Sequence, residues 1–326
     1  MTAAADRVRR AVERALPVAY GGVIRWSGPT GGEWSWMFAA LTGGQAPAAL
    51  LVKVPRWDQA PDLPAALAAG PQRDTEEEFR ALEAIAAVVA GAGDPGLTAV
   101  VPVAYVAEVN AIVTERLNAR PIRRRLGRGR GDAAALFERV GRWLRVFHAS
   151  GSPTTGTFPA TAEEAAFTDI AGRAGRGDLG DAAAALAAAA RRREGRAVAT
   201  GVLHGDLSLG NVLVTIDDRV AVIDPNRYPG RLAVDPAHLL TEARLGRRQL
   251  AGAGLTRRAG VVERWTDALL EGYPGLDPDL VAYERAAATV RRWASLEEAV
   301  RGPARMAMVP GRVLLRSEAA ARLESL

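Results

Sequence analysis

Residues 204–224 read HGDLSLGNVLVTIDDRVAVID. The stretch has the form H-x-D-L-x-x-x-N, followed by an apolar run, a turn at Asp217-Asp218, a second apolar run and a closing aspartate. Two short apolar runs joined by an acidic turn make a β-hairpin. A hairpin brings its ends together, so Asn211 and Asp224, thirteen positions apart, become neighbours.

Phosphoryl transfer calls for this set of groups. A carboxylate must receive and orient the acceptor hydroxyl, and oxygen ligands must hold the magnesium that offsets charge on the β- and γ-phosphates. Asp206 suits the first role, and Asn211 and Asp224 suit the second. Each residue alone has an ordinary structural reading as a turn or strand-end group; the ordered set carries the inference.

On these residues the chain resembles the aminoglycoside phosphotransferase and choline kinase superfamily, small-molecule kinases with the protein-kinase fold. Gly205 stands where protein kinases carry arginine, and Ala221-Val222-Ile223-Asp224 has the superfamily's hydrophobic-Ile-Asp ending. Residues Val234-Asp235-Pro236-Ala237-His238-Leu239-Leu240 are similar to its Gly-Asp-Pro-Ala-x-Asp-Leu segment. There the resemblance implies that Asp235 caps a helix and braces the loop. The family often has an aromatic after the metal aspartate, whereas this chain reads Asp224-Pro225-Asn226-Arg227. The implied architecture is α+β and two-lobed. An antiparallel sheet with a helix forms an N-terminal nucleotide lobe (1–117), and a mainly helical lobe with the hairpin forms the C-terminal catalytic and substrate lobe (118–326). ATP, with GTP open, and Mg2+ are the implied cofactors.

The chain has 326 residues, 48% of them apolar, enough to bury a large core. With no cysteine, disulfides, thiolate zinc sites and cysteine nucleophiles are excluded. No apolar run approaches the roughly 18 residues that span a bilayer, and the charged, helical opening lacks a signal-peptide core. The expectation is a cytoplasmic protein, monomer or homodimer, with no membrane partner. A net charge of +5 is modest for this length, and the densest basic run, Arg120–Arg130, lacks aromatics to stack on bases. It reads as a solvated helix face and loop, and nucleic acid is not expected as a partner.

Of 42 Lys plus Arg residues, one is lysine. Lys53 lies inside the apolar strand Leu50-Leu51-Val52-Lys53-Val54-Pro55, where a charge is costly unless paired. A compact ammonium and a planar guanidinium are not interchangeable at a tight phosphate site, so Lys53 is read as the residue that holds the nucleotide's α- and β-phosphates. The helix expected from Asp74 has the apolar stripe Leu82, Ile85, Val89, and Glu78 extends that face. This makes Glu78 the expected partner of Lys53.

Upstream, Tyr20–Trp26 and Trp34–Leu41 read as strands around a glycine-rich turn, Ser27–Glu33, with Ser35 a candidate phosphate donor. Neither G-x-G-x-x-G nor a Walker pattern occurs there. Residues 56–73 read as a Pro- and Ala-rich connection. Val100–Ala107 and Ala111–Leu117 read as strands; Ile112–Leu117 resembles the family's hinge, which makes Glu115 and Leu117 candidate nucleotide contacts through their backbone.

The second half reads as helical apart from the hairpin. Asp132–Ser150 is strongly amphipathic and ends at His148, which, like His204, is read as structural. Stripes at Val262, Trp265, Leu269 and at Leu280, Tyr283, Val290, Trp293 read as core. Between 156 and 200, six acids balance six arginines, without the acidic bias that a polycationic ligand would call for. The expected partner is a small hydroxyl acceptor, a sugar, glycan precursor or polyol, with an aminoglycoside antibiotic as the alternative. A nucleotide-binding pseudokinase is a third reading. Arg227 and Arg231 follow the metal aspartate and are candidate substrate contacts, with surface placement the competing reading.

Overall fold

The structure is a computed structural model that describes residues 3–44, 48–56, 60–126, 132–246, 259–299, 309–324 and 326. The fold is α+β, and its contacts divide it into two compact units. One comprises Met1–Arg120 with Leu213–Pro225, the other Pro121–Val212 with Asn226–Leu326.

In the first unit, α1 (Ala3–Ala15) precedes β1 (Val23–Gly31), β2 (Ser35–Thr42) and β3 (Ala49–Pro55). Helices α2 (Leu63–Ala68) and α3 (Arg73–Gly91) lead to β4 (Pro102–Val106) and β5 (Ala111–Glu115). The strands form one sheet in the order β1-β2-β3-β5-β4, with each neighbouring pair antiparallel. Strand β3 alternates: Leu50, Val52 and Val54 are fully buried, whereas Leu51 and Lys53 are half-buried on the other face. The buried three pack with Val8 and Val12 of α1 and Leu63 and Leu67 of α2. Leu82, Ile85 and Val89 are buried along α3 at helical spacing.

The hairpin expected around Ser27–Glu33 is longer and tighter than its composition implies. Strand β1 continues through Gly31, the turn shrinks to Gly32-Glu33-Trp34, and Tyr20 lies in a short 3-10 helix. Four residues of β1, from Ser27 to Thr30, oppose three of β2, from Ala39 to Met37. That bulge absorbs Gly28-Pro29 inside the strand instead of ending it. The expected 56–73 connection contains α2, started by Asp62, whose carboxylate accepts the amide of Ala65 at 2.9 Å, with Pro64 in the first turn.

Strand β6 (Ala119–Pro121) leads out of the first unit into α4 (Ile122–Leu126) and α5 (Ala133–Ser150). The second unit is mainly helical, as expected, and also contains a small sheet that the sequence reading did not include. Strands β7 (Thr154–Thr157) and β8 (Ala197–Leu203) join β11 (Tyr228–Arg231) in an antiparallel sheet with β8 at its centre. Helices α6 (Ala160–Ala174) and α7 (Asp178–Arg191) intervene. Helices α8 (Val234–Leu245), α9 (Ala259–Gly272), α10 (Pro278–Ala299) and α11 (Val309–Leu323) complete the unit. Phe137 of α5 stacks on Trp265 of α9 with ring centroids 4.9 Å apart. Among the described residues, no helix is long and apolar enough to cross a membrane.

The hairpin legible in the sequence is β9 (Val212–Thr215) and β10 (Val220–Val222). Strand β10 is tied to the segment after α3: Thr98 donates its amide to the Val220 carbonyl at 2.9 Å, and Val220 donates to Gly96 at 3.0 Å. These two bonds bring the chain leading to Asp224 into the first unit.

Candidate active site

In the first unit, the ammonium of Lys53 lies between two carboxylates. Glu78 Oε1 of α3 is 2.7 Å away, and Asp224 Oδ1 is 2.9 Å away. Alternation on β3 points Lys53 away from the face covered by α1, and its position on α3 brings Glu78 to meet it. Burial works against the ammonium's charge, but Asp224 and then Glu78 outweigh it, so the Lys53 pKa is raised and the group stays protonated. Asp224 reaches Lys53 with φ near 57°, in the left-handed region that few non-glycine residues occupy. This backbone strain at a charged residue marks a constrained position, and nothing in the linear sequence announces it.

Of the other residues assigned to the nucleotide side, Ser35 opens β2, opposite Pro55 at the end of β3. Glu115 closes β5. Its amide is taken by the Val101 carbonyl at 2.8 Å, and its carboxylate accepts the Tyr20 hydroxyl at 2.9 Å. Burial, then that bond, pushes the Tyr20 phenol up to about 12. Leu117 follows the strand, and its carbonyl accepts the amide of Ala119 at 2.9 Å.

In the second unit, the loop from His204 to Asn211 is held at its backbone. The Asn211 side-chain amide donates both to the Asp206 carbonyl and to Asp206 Oδ2, each at 2.9 Å. That fixes the Asp206 carboxylate and leaves the oxygen end of the Asn211 amide to accept a cation. Asp235, 1% exposed, accepts the amides of His204 at 2.7 Å and Gly205 at 3.0 Å, and it meets His148 Nε2 at 2.9 Å. Burial raises a carboxyl's pKa, but the bonds from His148, Gly205 and His204 prevail, and that of Asp235 is lowered. Asp235 therefore braces the loop as expected. It does not cap a helix, because it is the second residue of α8 and the position before the helix is Ala233. Its acceptor capacity is used by the loop's amides instead.

Both histidines are buried. His148 pairs with Asp235 through Nε2 and with the Tyr273 hydroxyl through Nδ1 at 3.2 Å. His204 Nδ1 accepts the amide of Asp206 at 3.3 Å, and its ring meets Trp143 and Phe147 edge-on. Gly205 has φ +82°, and a Cβ there would lie 2.5 Å from the Tyr228 ring. A side chain at 205 is therefore excluded twice, by conformation and by space.

Arg231 is not placed to meet a substrate. Its guanidinium donates to Glu284 Oε1 at 2.5 Å and Glu163 Oε1 at 2.7 Å, and it lies over the Phe158 ring. Burial works against the charge, yet these two carboxylates hold Arg231 firmly protonated. Its donors serve an internal ion-pair cluster that also takes Arg291. Arg227 is exposed, with φ 38°, and its amide donates to the His204 carbonyl at 3.2 Å.

Sequence reasoning missed Glu242. Its Oε2 accepts the amide of Leu209 at 2.5 Å. It lies seven residues after Asp235, two turns along α8, so one helix face carries both acids that grip the loop. That spacing was the available signal.

Asn211 and Asp224 offer hard oxygen donors of the kind magnesium prefers, and magnesium ordinarily takes one or two protein ligands together with phosphate oxygens. Among the described residues, no group of three or more His, Cys, Asp or Glu has the arrangement to hold a metal ion.

The model of the phosphotransferase enzyme family matches residues 44–278. Solved structures with the same fold include a choline/ethanolamine kinase family protein from Mesorhizobium loti, at 16% identity and TM-score 0.54, covering 99% of this chain and 98% of that one. A spectinomycin phosphotransferase in complex with ADP and spectinomycin has 12% identity and TM-score 0.55, covering 98% of each chain. An aminoglycoside 2'-phosphotransferase in a GDP complex has 12% identity and TM-score 0.54, covering 92% of this chain and 94% of that one. At these identities the likeness speaks for the fold. Comparison with curated proteins finds no match.

Proposed function

The chain belongs to the phosphotransferase enzyme family, and from that premise we propose that it transfers the γ-phosphate of ATP, with Mg2+, to a hydroxyl of a small molecule. The observation that carries the reading is the Asp206 carboxylate, fixed by Asn211 within a loop whose amides Asp235 and Glu242 hold. Preorganisation of this kind lets a carboxylate meet an incoming hydroxyl without rearranging.

On this reading the first unit handles the nucleotide, and the second presents the loop and the acceptor. Lys53, positioned by Glu78, holds the α- and β-phosphates, and Ser35 with the backbone of Glu115 and Leu117 completes the nucleotide contacts. Asp206 orients the acceptor hydroxyl and takes its proton as the new O–P bond forms. The bond between the γ-phosphorus and the bridging oxygen breaks, and ADP leaves. Asn211 and Asp224 would hold a magnesium ion, whose charge would offset that of the transferring group. The ADP complex of one structural relative supports an adenine nucleotide, and the GDP complex of another keeps GTP as an alternative. The acceptor we favour is a sugar, glycan precursor or polyol. An aminoglycoside is the second reading, favoured by the antibiotic-phosphorylating relatives.

The test is ADP formation from Mg·ATP with a panel of sugars, polyols, aminocyclitols and choline. At least one acceptor should stimulate turnover, and Asp206→Asn should lower that turnover by about 10²- to 10⁴-fold, the usual worth of general acid–base catalysis. Nucleotide binding without any phosphorylated product from a broad metabolite mixture would instead identify a nucleotide-binding module.

A further inference from the structure

Tyr273 has no part in the chemistry assigned above, yet its hydroxyl begins a run of hydrogen bonds that ends at the loop bearing Asp206. It follows directly on Gly272, the last residue of α9, where that helix closes on α5: a Cβ at Gly272 would lie 2.0 Å from the Glu138 carbonyl oxygen. At this crossing the Tyr273 ring lies against His148 of α5, with ring centroids 5.6 Å apart and the hydroxyl 3.2 Å from Nδ1. His148 Nε2 meets Asp235 Oδ2 at 2.9 Å, and Asp235 accepts the amides of His204 and Gly205. His204 Nδ1 in turn takes the amide of Asp206. Tyr273, His148 and Asp235 are all buried, so each polar atom in the run depends on the next for its partner.

A neutral imidazole has one donor nitrogen and one acceptor nitrogen, and the bond made by one decides the role of the other. The Asp235 carboxylate can only accept, so the nitrogen that faces it must carry the proton. That leaves the lone pair on Nδ1, and a buried lone pair needs a donor. Tyr273 supplies it. Burial first, and then the charge of Asp235, push its phenol up to about 12, so the hydroxyl keeps its proton. Among the described residues Nδ1 has no other polar partner. Without the hydroxyl, Nδ1 would face an apolar edge, and the ring could relieve it by turning or by changing tautomer, in either case at the expense of the bond to Asp235.

We propose that Tyr273 is a positioning residue for the phosphoryl transfer: its hydroxyl fixes the Nε2-protonated tautomer and the orientation of His148, and through Asp235 it holds the backbone that presents Asp206. The inference rests on the reading of Asp206 as the residue that receives the acceptor hydroxyl. It extends the support of the loop beyond α8, whose Asp235 and Glu242 grip it, to the end of α9.

The chain has three histidines, so nitrogen-15 NMR of the histidine-labelled protein can resolve the ring of His148, with His148→Gln giving its assignment. In the unaltered chain the signals should show a protonated Nε2 and an unprotonated, hydrogen-bonded Nδ1. Tyr273→Phe keeps the ring and removes the hydroxyl. It should shift the Nδ1 signal and speed hydrogen exchange at the Gly205 amide. It should also lower kcat for acceptor-dependent ADP formation about ten-fold, the scale of one lost hydrogen bond, with the KM for ATP unchanged. His148→Gln sets an amide donor where Nε2–H stood and has no tautomer to fix. Adding Tyr273→Phe to it should therefore change kcat by less than about two-fold, because the two residues act as one unit. A general loss of folding would instead lower activity in both backgrounds. Protonation of Nδ1 in the unaltered chain, a His148 spectrum and Gly205 exchange unmoved by Tyr273→Phe, an unchanged kcat, or an equal loss of kcat in both backgrounds would each overturn the proposal. Spectral and exchange changes in a chain that turns over no acceptor at all would keep the hold of Tyr273 on the loop and remove the kinase reading, so failure of the one is distinguishable from failure of the other.

Discussion

Leu209 has no chemistry of its own, yet its backbone amide decides how firmly Asn211 is held. That amide donates to Glu242 Oε2 at 2.5 Å, and two residues later Asn211 holds the Asp206 carboxylate. Removing the acceptor leaves a partly buried donor unmet, which costs about 1–3 kcal/mol, and the loop can recover that cost by moving. Glu242→Ala should therefore speed hydrogen exchange at the Leu209 amide and lower acceptor-dependent turnover by roughly ten-fold, the rate equivalent of about 1.4 kcal/mol. Glu242→Gln keeps an oxygen in place and should retain most of the activity. Equal losses in the two variants would show that charge, and not the hydrogen bond, matters there. Lys53 makes the complementary point in the first unit. It was legible because a lone lysine inside an apolar strand requires a partner, and Glu78 stands 2.7 Å away. Its second partner, Asp224, was legible only as a separate acid, since the left-handed backbone that delivers it leaves no mark on composition.

Where helices α5 and α9 cross, two glycines let their backbones touch. A Cβ at Gly141 would lie 2.1 Å from the Leu269 carbonyl oxygen, and one at Gly272 would lie 2.0 Å from that of Glu138. Alanine inside a helix ordinarily gains about 1 kcal/mol over glycine. Here the obstacle is backbone, so the helices must separate and give up contacts such as the Phe137–Trp265 stack. Gly141→Ala should lower stability by about 2 kcal/mol or more, in the range of overpacked cores. Chemical denaturation of the full chain would register it, and an unchanged or raised midpoint would contradict the close crossing. Neither glycine announces itself in the sequence, because α5 reads as a good amphipathic helix with or without it. Long periodic segments such as α3 and α5 were legible because burial follows their 3.6-residue period. Strands β7 and β11, with the sequences Thr-Thr-Gly-Thr and Tyr-Pro-Gly-Arg, were not. They carry no apolar alternation and exist because β8 pairs with each of them. Helix α2 was hidden for the opposite reason: Pro64 looks like a break, yet it sits where a first turn accepts proline.

At the scale of the whole molecule, depressed carboxyls of the second unit contribute to the response to acid. Asp235 is buried and its pKa is lowered: burial opposes this, but His148 and the loop amides prevail. Glu263 of α9 is lowered to about 2, burial again opposing, because Arg322 of α11 and Arg285 of α10 bind it. A carboxylate with a depressed folded-state pKa takes up its proton more readily when the chain is unfolded. Its contribution is therefore present above the unfolded value, about 4, and is lost as pH falls through the folded one. For Glu263 that window runs from about 4 down to about 2. Asp235 acts in the same direction. The steepness of stability against pH counts the protons taken up on unfolding, so Glu263→Gln should flatten the fall in denaturation midpoint between about pH 4 and pH 2, and Asp235→Asn should flatten the fall below about pH 4. Asp235→Asn should also lower the midpoint at neutral pH, because an amide cannot accept three donors as the carboxylate does. Glu263 is 41% exposed, so Glu263→Gln should cost less at neutral pH while still changing the acid slope. The two variants thus separate the protein's acid sensitivity from its loss of packing. A slope unchanged in both would place the acid-sensitive protons elsewhere.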